Sequence, residues 1–186
     1  LATAFFSVIN GGVLYKPYLV EKITDDNNVV IRRNLPTPVR QVISPEISRE
    51  MRDILENVVR DGTAKRGDVE GYRVGGKTGT AQLSTKGGYL KSEYLASFIG
   101  FFPADKPKYA VLVMFMKPKG ETIFEKYGGA TAAPVFGEIV RRITKNKNIL
   151  SQDIAKISEI KNFESMKRNN EEVKIEMPDL TGLSPK

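Results

Sequence analysis

The sequence predicts an α+β domain, with a mainly antiparallel sheet flanked by helices. Two apolar runs, 95–102 and 109–116, are rich in aromatic and β-branched residues and are separated by a short turn, as expected for adjacent buried strands. Apolar residues recur at helical spacing in 44–61 and again in 130–145. With 186 residues, of which 40% are hydrophobic and 27% charged, the chain is long enough for one domain with a sizeable core.

The N-terminal residues 1–9 are typical of the last turns of a buried helix, which ends at Gly11-Gly12. Because a domain rarely begins inside a helix, we expect the sequence to be part of a longer protein. The segments that follow are predicted to be extended at 13–16 and 19–24, a turn at 25–28, a returning strand at 29–33 and a loop at 35–38.

Ser44, Pro45 and Glu46 are typical of a helix start, as an N-cap, a first helical residue and an acid in the first turn. The apolar residues that follow are expected to form one buried stripe: Ile47, Met51, Ile54, Leu55, Val58 and Val59. Gly62 marks the predicted end of this helix.

The central and C-terminal parts are predicted from turn signals and apolar runs. In order, we expect a loop at 63–71, a strand at 72–83, a loop at 84–92, strands at 95–102 and 109–116, and a helix at 130–145 preceded by Gly128-Gly129. The three strands would form an antiparallel meander. Beyond 145 the composition becomes polar and charged, so 146–176 is predicted to be a linker or an exposed helix.

Cysteine and histidine are both absent. This excludes Ser-His-Asp and Cys-His catalysis, thiol redox chemistry and zinc sites built from these residues, and no metal or cofactor is predicted. The net charge of +7 suits either an anionic partner or a solvated basic surface. No tract interleaves basic and aromatic residues, so nucleic-acid binding is not predicted.

Residues 71–78 match the phosphate-loop pattern G-x-x-x-x-G-K-[ST]. That loop requires an apolar strand before it and a helix after it. Here the preceding residues, 65–70, are a charged loop, and Gly79 and Thr80 disfavour a helix. The sequence therefore predicts a strand at this position and no nucleotide.

On such a strand, Lys77 supplies a positive charge, and Thr78 and Thr80 supply hydroxyl donors that can hold a carboxylate. Alternation places Lys77 and Gly79 on one face and the two threonines on the other. At a sheet edge this strand could bind an extended peptide by strand addition. Spacing alone equally allows a surface strand with no ligand.

Residues 73–82, Arg-Val-Gly-Gly-Lys-Thr-Gly-Thr-Ala-Gln, resemble the third catalytic motif of the class B penicillin-binding proteins, which are peptidoglycan D,D-transpeptidases. The resemblance covers about 1–145, including 2–12, 58–64, 96–103 and 132–136 in the same order. It implies the C-terminal part of the serine β-lactamase/penicillin-binding transpeptidase fold. Residues 177–186 resemble the truncated start of a PASTA module.

The resemblance implies serine acylation at the D-Ala-D-Ala bond of a peptidoglycan stem peptide, and acylation of the same serine by β-lactams. Lys77, Thr78 and Gly79 would be the catalytic Lys-Thr-Gly motif. Thr78 and Thr80 would bind the substrate carboxylate, and the backbone N–H of Thr80 would be an oxyanion donor. Ala81 and Gln82 would pair with the peptide. The longer protein would be membrane-anchored at the extracytoplasmic face of the plasma membrane.

The nucleophile is missing from its expected place, because the family's S-x-x-K and S-x-N motifs precede this region and neither occurs before Lys77. Residues 158–161 spell S-x-x-K in the wrong order and are interpreted as a solvated helix face. We therefore expect the N-terminal part of the same protein, as another chain or a missing half, to supply both motifs, and this chain alone to be inactive. A serine β-lactamase, a D,D-carboxypeptidase and an inactive sensor module of the same fold remain alternatives.

Overall fold

The computed structural model describes residues 1–86, 88–147 and 149. These residues form the helices α1 (Ala2–Ile9), α2 (Pro45–Arg60) and α3 (Ala132–Asn146), the strands β1 (Val13–Lys16), β2 (Lys22–Thr24), β3 (Val30–Arg33), β4 (Thr37–Gln41), β5 (Gly75–Thr85), β6 (Gly88–Phe102) and β7 (Tyr109–Met116), and 3₁₀ turns at Lys65–Gly67 and Phe124–Lys126. The α+β prediction is confirmed. The predicted linker, the PASTA-like segment and residues 158–161 lie outside the described residues.

The main sheet is an antiparallel meander in the order β5-β6-β7, as predicted. Its register places Thr80 opposite Ala96 and Lys77 opposite Ile99. Ile99 in turn lies opposite Leu112. β6 is therefore the central strand of this sheet, and β5 lies at its edge.

Helices cover both faces of the sheet. Because side chains alternate along a strand, β6 sends Phe98 to one face and Phe101 to the other. Phe98 packs against Phe136 of α3, with ring centroids 4.8 Å apart. Phe101 lies in a second buried cluster with Ile9 of α1 and Leu55 of α2.

Helix α2 begins as predicted: the Ser44 side chain accepts a hydrogen bond from the Ile47 N–H, and Pro45 is the first helical residue. The predicted buried stripe is wrong in part, because Ile47 and Ile54 are about half exposed, at 48% and 55%. The buried line instead includes Ser48, whose hydroxyl donates to the Val8 carbonyl of α1 at 2.7 Å. This hydrogen bond turns a polar side chain towards α1, which a pattern of apolar residues does not reveal.

Two predicted loops are strands. Residues 35–38 were expected to be a loop, yet Thr37 and Pro38 begin β4 and pair with β1. Proline is tolerated there because the ladder shifts at Leu14/Tyr15 and the sheet has only two strands. The expected loop at 84–92 is a continuation of β5 and β6, with Thr85 opposite Gly88. Most side chains of this hairpin end are exposed, so the alternation that marks a half-buried strand is absent.

None of the helices in the described part of the chain is long and apolar enough to span a membrane.

Candidate functional site

The Lys-Thr-Gly-Thr segment lies on β5, which confirms the predicted strand. β5 is at the sheet edge, and the direction of its backbone groups follows from the neighbouring strand. The Tyr94 carbonyl accepts a hydrogen bond from the Lys117 N–H at 2.8 Å and therefore points away from β5. Tyr94 lies opposite Gln82, and antiparallel pairs alternate between bonded and non-bonded. The backbone N–H and C=O groups of Thr78, Thr80 and Gln82 consequently face the outer edge of β5.

Thr78 and Thr80 share one face of β5, as alternation predicts, and both line an open cavity of about 370 Å³. One wall of the cavity comes from the loop and 3₁₀ turn that precede β5, through Thr63, Lys65 and Arg66. The other wall comes from the segment before α3, through Phe124, Tyr127, Gly129 and Ala130. The two hydroxyls thus share one cavity with two basic and two aromatic side chains.

The hydrogen bonds of the two threonines allow both hydroxyl groups to act as acceptors within the protein and as donors to a ligand. Thr80 Oγ1 accepts from the Gly128 N–H at 3.2 Å. Thr78 Oγ1 lies 3.0 Å from Thr63 Oγ1 and 3.4 Å from Lys77 Nζ, which can only donate. A hydroxyl has one proton and two acceptor positions, so both oxygens can accept these bonds and still donate a proton into the cavity.

Lys77 is not separated from Thr78 as simple alternation implies. Its Nζ donates to the Thr78 carbonyl at 3.1 Å, so the exposed lysine side chain reaches around the edge of the strand. The structure therefore brings the ammonium group and the Thr78 hydroxyl together, even though their Cβ atoms point to opposite faces. The length of the lysine side chain accounts for this difference from the predicted arrangement.

Glycines allow the segment before α3 to lie directly on the sheet. A Cβ atom on Gly128 would collide with the carbonyl oxygens of Ser97 and Gly79, and one on Gly129 would collide with the Thr63 carbonyl. A Cβ atom on Gly79 would lie 2.5 Å from Ser97 Oγ. Sequence reasoning placed Gly128-Gly129 only before the last helix and missed this contact. The two consecutive glycines are the feature of the sequence that could have indicated this close packing.

Ala81 and Gln82 were predicted to contact the substrate. Both side chains are exposed on β5. The Gln82 amide nitrogen donates to the Leu90 carbonyl of β6 at 2.9 Å, so its side chain is directed along the sheet. The backbone of Gln82 is therefore the part that the outer edge of β5 presents.

The walls of the cavity suit a carboxylate. Tyr127 packs edge-to-face against Phe124, with ring centroids 5.8 Å apart. Lys65 and Arg66 line the same cavity with exposed side chains and add positive charge near the two hydroxyl groups. Sequence reasoning treated these two basic residues only as part of a charged loop. The part of the chain that the structure describes holds no cluster of three or more acidic side chains arranged to bind a metal ion.

Comparisons with known proteins show what the chain as a whole is similar to. The family described as the penicillin binding protein transpeptidase domain matches residues 1–141. The chain is 39% identical over 182 residues to Stage V sporulation protein D of Bacillus subtilis. The aligned region covers 97% of this chain and 27% of that protein. The chain is 33% identical over 163 residues to penicillin-binding protein PbpB of Mycolicibacterium smegmatis, covering 82% of this chain and 25% of that protein. The chain thus spans about a quarter of the length of these relatives.

Solved structures give the same result. The apo transpeptidase domain of penicillin-binding protein 3 from Burkholderia pseudomallei is similar with a TM-score of 0.63 and 34% identity, over 81% of this chain and 42% of that one. Penicillin-binding protein 3 from Mycobacterium tuberculosis, complexed with ampicillin, is similar with a TM-score of 0.69 and 26% identity, over 80% of this chain and 34% of that one.

Proposed function

Because this chain belongs to the transpeptidase domain of the class B penicillin-binding proteins, we propose that it supplies the substrate-binding side of a peptidoglycan D,D-transpeptidase. The observation that carries the proposal is the pair of hydroxyl groups, those of Thr78 and Thr80, which line one cavity together with Lys65 and Arg66, with Lys77 bonded to Thr78. Two hydroxyls within a positive environment are suited to the terminal carboxylate of a stem peptide.

The free edge of β5 supports the second part of the proposed role. An extended stem peptide can pair with the backbone groups of Thr80 and Gln82 by strand addition. The Thr80 N–H then serves as one donor to the oxyanion that forms when the scissile carbonyl is attacked. Lys77 contributes positive charge and hydrogen bonds to the hydroxyl network next to that position.

The N-terminal part of the same protein supplies the nucleophilic serine and its lysine. The serine Oγ attacks the D-Ala-D-Ala carbonyl and the terminal D-Ala leaves as an amine. The amine of a second stem peptide then attacks the ester, forms the cross-link and frees the serine. β-Lactams acylate the same serine, in line with the relative solved with ampicillin. We place this reaction at the extracytoplasmic face of the plasma membrane, with the longer protein membrane-anchored.

Labelling with a fluorescent penicillin tests whether the nucleophile lies outside this chain. We expect the isolated chain to remain unlabelled, and the longer protein that includes the N-terminal part to be labelled outside residues 1–186. In that protein, Lys77→Ala should slow acylation by about 100-fold or more, as expected for loss of a group that stabilises charge at the reacting centre. Lys86→Ala removes the same charge in the turn that follows β5 and should change the rate less than about twofold.

Four results would contradict the proposal. Covalent labelling of this chain would show that it carries a nucleophile. Equal effects of the two lysine substitutions would show that Lys77 has no specific role in acylation. A longer protein that folds but is never labelled would favour an inactive sensor module, and rapid hydrolysis of the bound penicillin would favour a β-lactamase.

A further inference from the structure

Thr63 lies outside the Lys-Thr-Gly-Thr segment, yet its hydroxyl is 3.0 Å from that of Thr78. It follows the end of α2 and lines the cavity together with Thr78 and Thr80. We propose that Thr63 is a positioning residue for carboxylate binding, which donates its proton to Thr78 and thereby keeps the Thr78 proton directed into the cavity. This inference rests on the proposed role of Thr78 as a carboxylate donor.

The other partner of Thr78 limits how its hydroxyl can bond to Thr63, because the bond from Lys77 leaves it one acceptor position and its proton. The Lys77 ammonium group has protons but no acceptor, so Thr78 Oγ1 must accept from it at 3.4 Å. If Thr63 also donates, both acceptor positions of Thr78 are filled and its single proton must point elsewhere. When a carboxylate enters the cavity, it accepts that proton, and the three groups form a chain from Thr63 through Thr78 to the ligand. Hydrogen bonds in such a chain polarise and strengthen one another.

The backbone of Thr63 is fixed on both sides. The next residue, Ala64, is fully buried, and its N–H donates to the Val58 carbonyl of α2 at 3.4 Å. The Thr63 carbonyl lies against Gly129, where any Cβ atom would collide with it. With the backbone held in place, only the χ1 rotation and the rotation of the hydroxyl have to be ordered, so forming the bond to Thr78 costs little conformational entropy.

The proposal is tested by binding D-alanyl-D-alanine and its C-terminal amide to the protein that contains this chain and its N-terminal part, using ligand-observed NMR. Thr63→Val keeps the shape of the side chain and removes the donor. We expect it to weaken binding of the dipeptide by about three- to tenfold, the usual range for one hydrogen bond, and to change binding of the amide less than about twofold. Thr63→Ser restores the donor and should restore most of the affinity.

Thr37→Val, the same change at an exposed threonine of β4, is the control and should leave both affinities unchanged. Equal weakening for dipeptide and amide would show that Thr63 only supports the local structure and would overturn the proposal. No effect of Thr63→Val on the dipeptide would overturn it as well, as would a wild-type protein that binds dipeptide and amide equally. If Thr63→Val does not fold, failure of the folded Thr63→Ser to bind the dipeptide in preference to the amide would also overturn it.

Penicillin labelling separates this inference from the proposed function. A protein that is never labelled, yet loses dipeptide affinity in Thr63→Val, is not a transpeptidase but still uses Thr63 as proposed. A labelled protein in which Thr63→Val binds the dipeptide as tightly as wild type overturns the role of Thr63 alone.

Discussion

Arg73 and Glu56 form a bidentate ion pair that joins α2 to the residues just before β5. The Arg73 guanidinium donates to both Glu56 carboxylate oxygens, with the Nε contact at 2.7 Å. The Glu56 side chain is only 15% exposed, against 41% for Arg73. The hydrogen bond to Glu56 raises the pKa of Arg73 above its usual value. Arg73 therefore stays protonated at every pH at which the protein would be studied.

We expect Arg73→Met to lower the free energy of unfolding by about 1–3 kcal/mol, because it leaves a mostly buried carboxylate without its partner. Arg60→Met breaks the exposed pair with Asp61, whose side chains are 65% and 67% exposed, and is the matched control. It should cost less than about 0.5 kcal/mol. Urea denaturation of the longer protein measures both, and equal losses would show that burial of Glu56 is unimportant.

At the scale of single residues, the sequence predicts the chemistry of the site but not its supports. Lys77, Thr78 and Thr80 were identified because they are adjacent on one strand. Thr63 lies 15 residues before Thr78, and Gly128 lies 48 residues after Thr80. Such contacts depend on how the chain folds back, which local spacing does not encode. Gln82 was identified from the sequence as a substrate-binding residue, yet its side chain donates a hydrogen bond to the Leu90 carbonyl and does not line the cavity.

At the scale of elements, strong local signals predict bounds well. Ser44-Pro45 predicts the start of α2, and the turn at 103–108 predicts the start of β7 at Tyr109. β4 and the exposed end of the β5–β6 hairpin were missed, because a strand with exposed side chains on both faces shows no apolar alternation. β3 is equally exposed but was predicted, because the turn at 25–28 precedes it. β4, whose five residues are all exposed, is the clearest example.

The segment before α3 is the element on which the site most depends. Gly128→Ala should distort this segment, because its Cβ atom would meet backbone oxygens that cannot rotate away. We expect a loss of about 1–3 kcal/mol in stability. Acylation by penicillin should fall at the same time, because the Thr80 hydroxyl would lose its Gly128 partner.

Gly137→Ala on α3 is the matched control. Its Cβ atom would meet its nearest neighbours at 3.5 Å or more, which is ordinary contact. Alanine favours a helix over glycine by about 1 kcal/mol, so this variant should be as stable as wild type or more so. Calorimetry and penicillin labelling of both variants check the prediction, and a Gly128→Ala protein with wild-type labelling would refute it.

At the scale of the whole molecule, the net charge is +7, and the basic residues close to the cavity are the ones expected to affect ligand binding. Lys65 and Arg66 should accelerate the approach of an anionic ligand, an effect that salt screens. We expect the double substitution Lys65→Gln, Arg66→Gln to slow acylation by a carboxylate-bearing penicillin about three- to tenfold at low salt, and by much less at 0.5 M salt.

The control is the pair Lys86→Gln, Lys91→Gln, which removes the same charge from the far end of the β5–β6 hairpin. It should leave the low-salt rate within about twofold of wild type. If both pairs slow the reaction equally, net charge alone sets the rate, and a loss that does not depend on salt would indicate direct contact with the ligand.

The two supports of the threonine pair, Thr63 and Gly128, lie 15 and 48 residues from the threonines that they contact, so the site forms only after these stretches of chain have closed into loops. Closing such loops costs entropy, which the other contacts of the folded domain must offset. A peptide that contains only Gly76–Thr80 would therefore lack the arrangement that directs its hydroxyl protons. It also follows that any ligand held by both threonines stabilises the folded domain as a whole, in proportion to how tightly it binds. The strand thus carries the binding groups, while the folding equilibrium of the entire domain decides how often they are ready to bind.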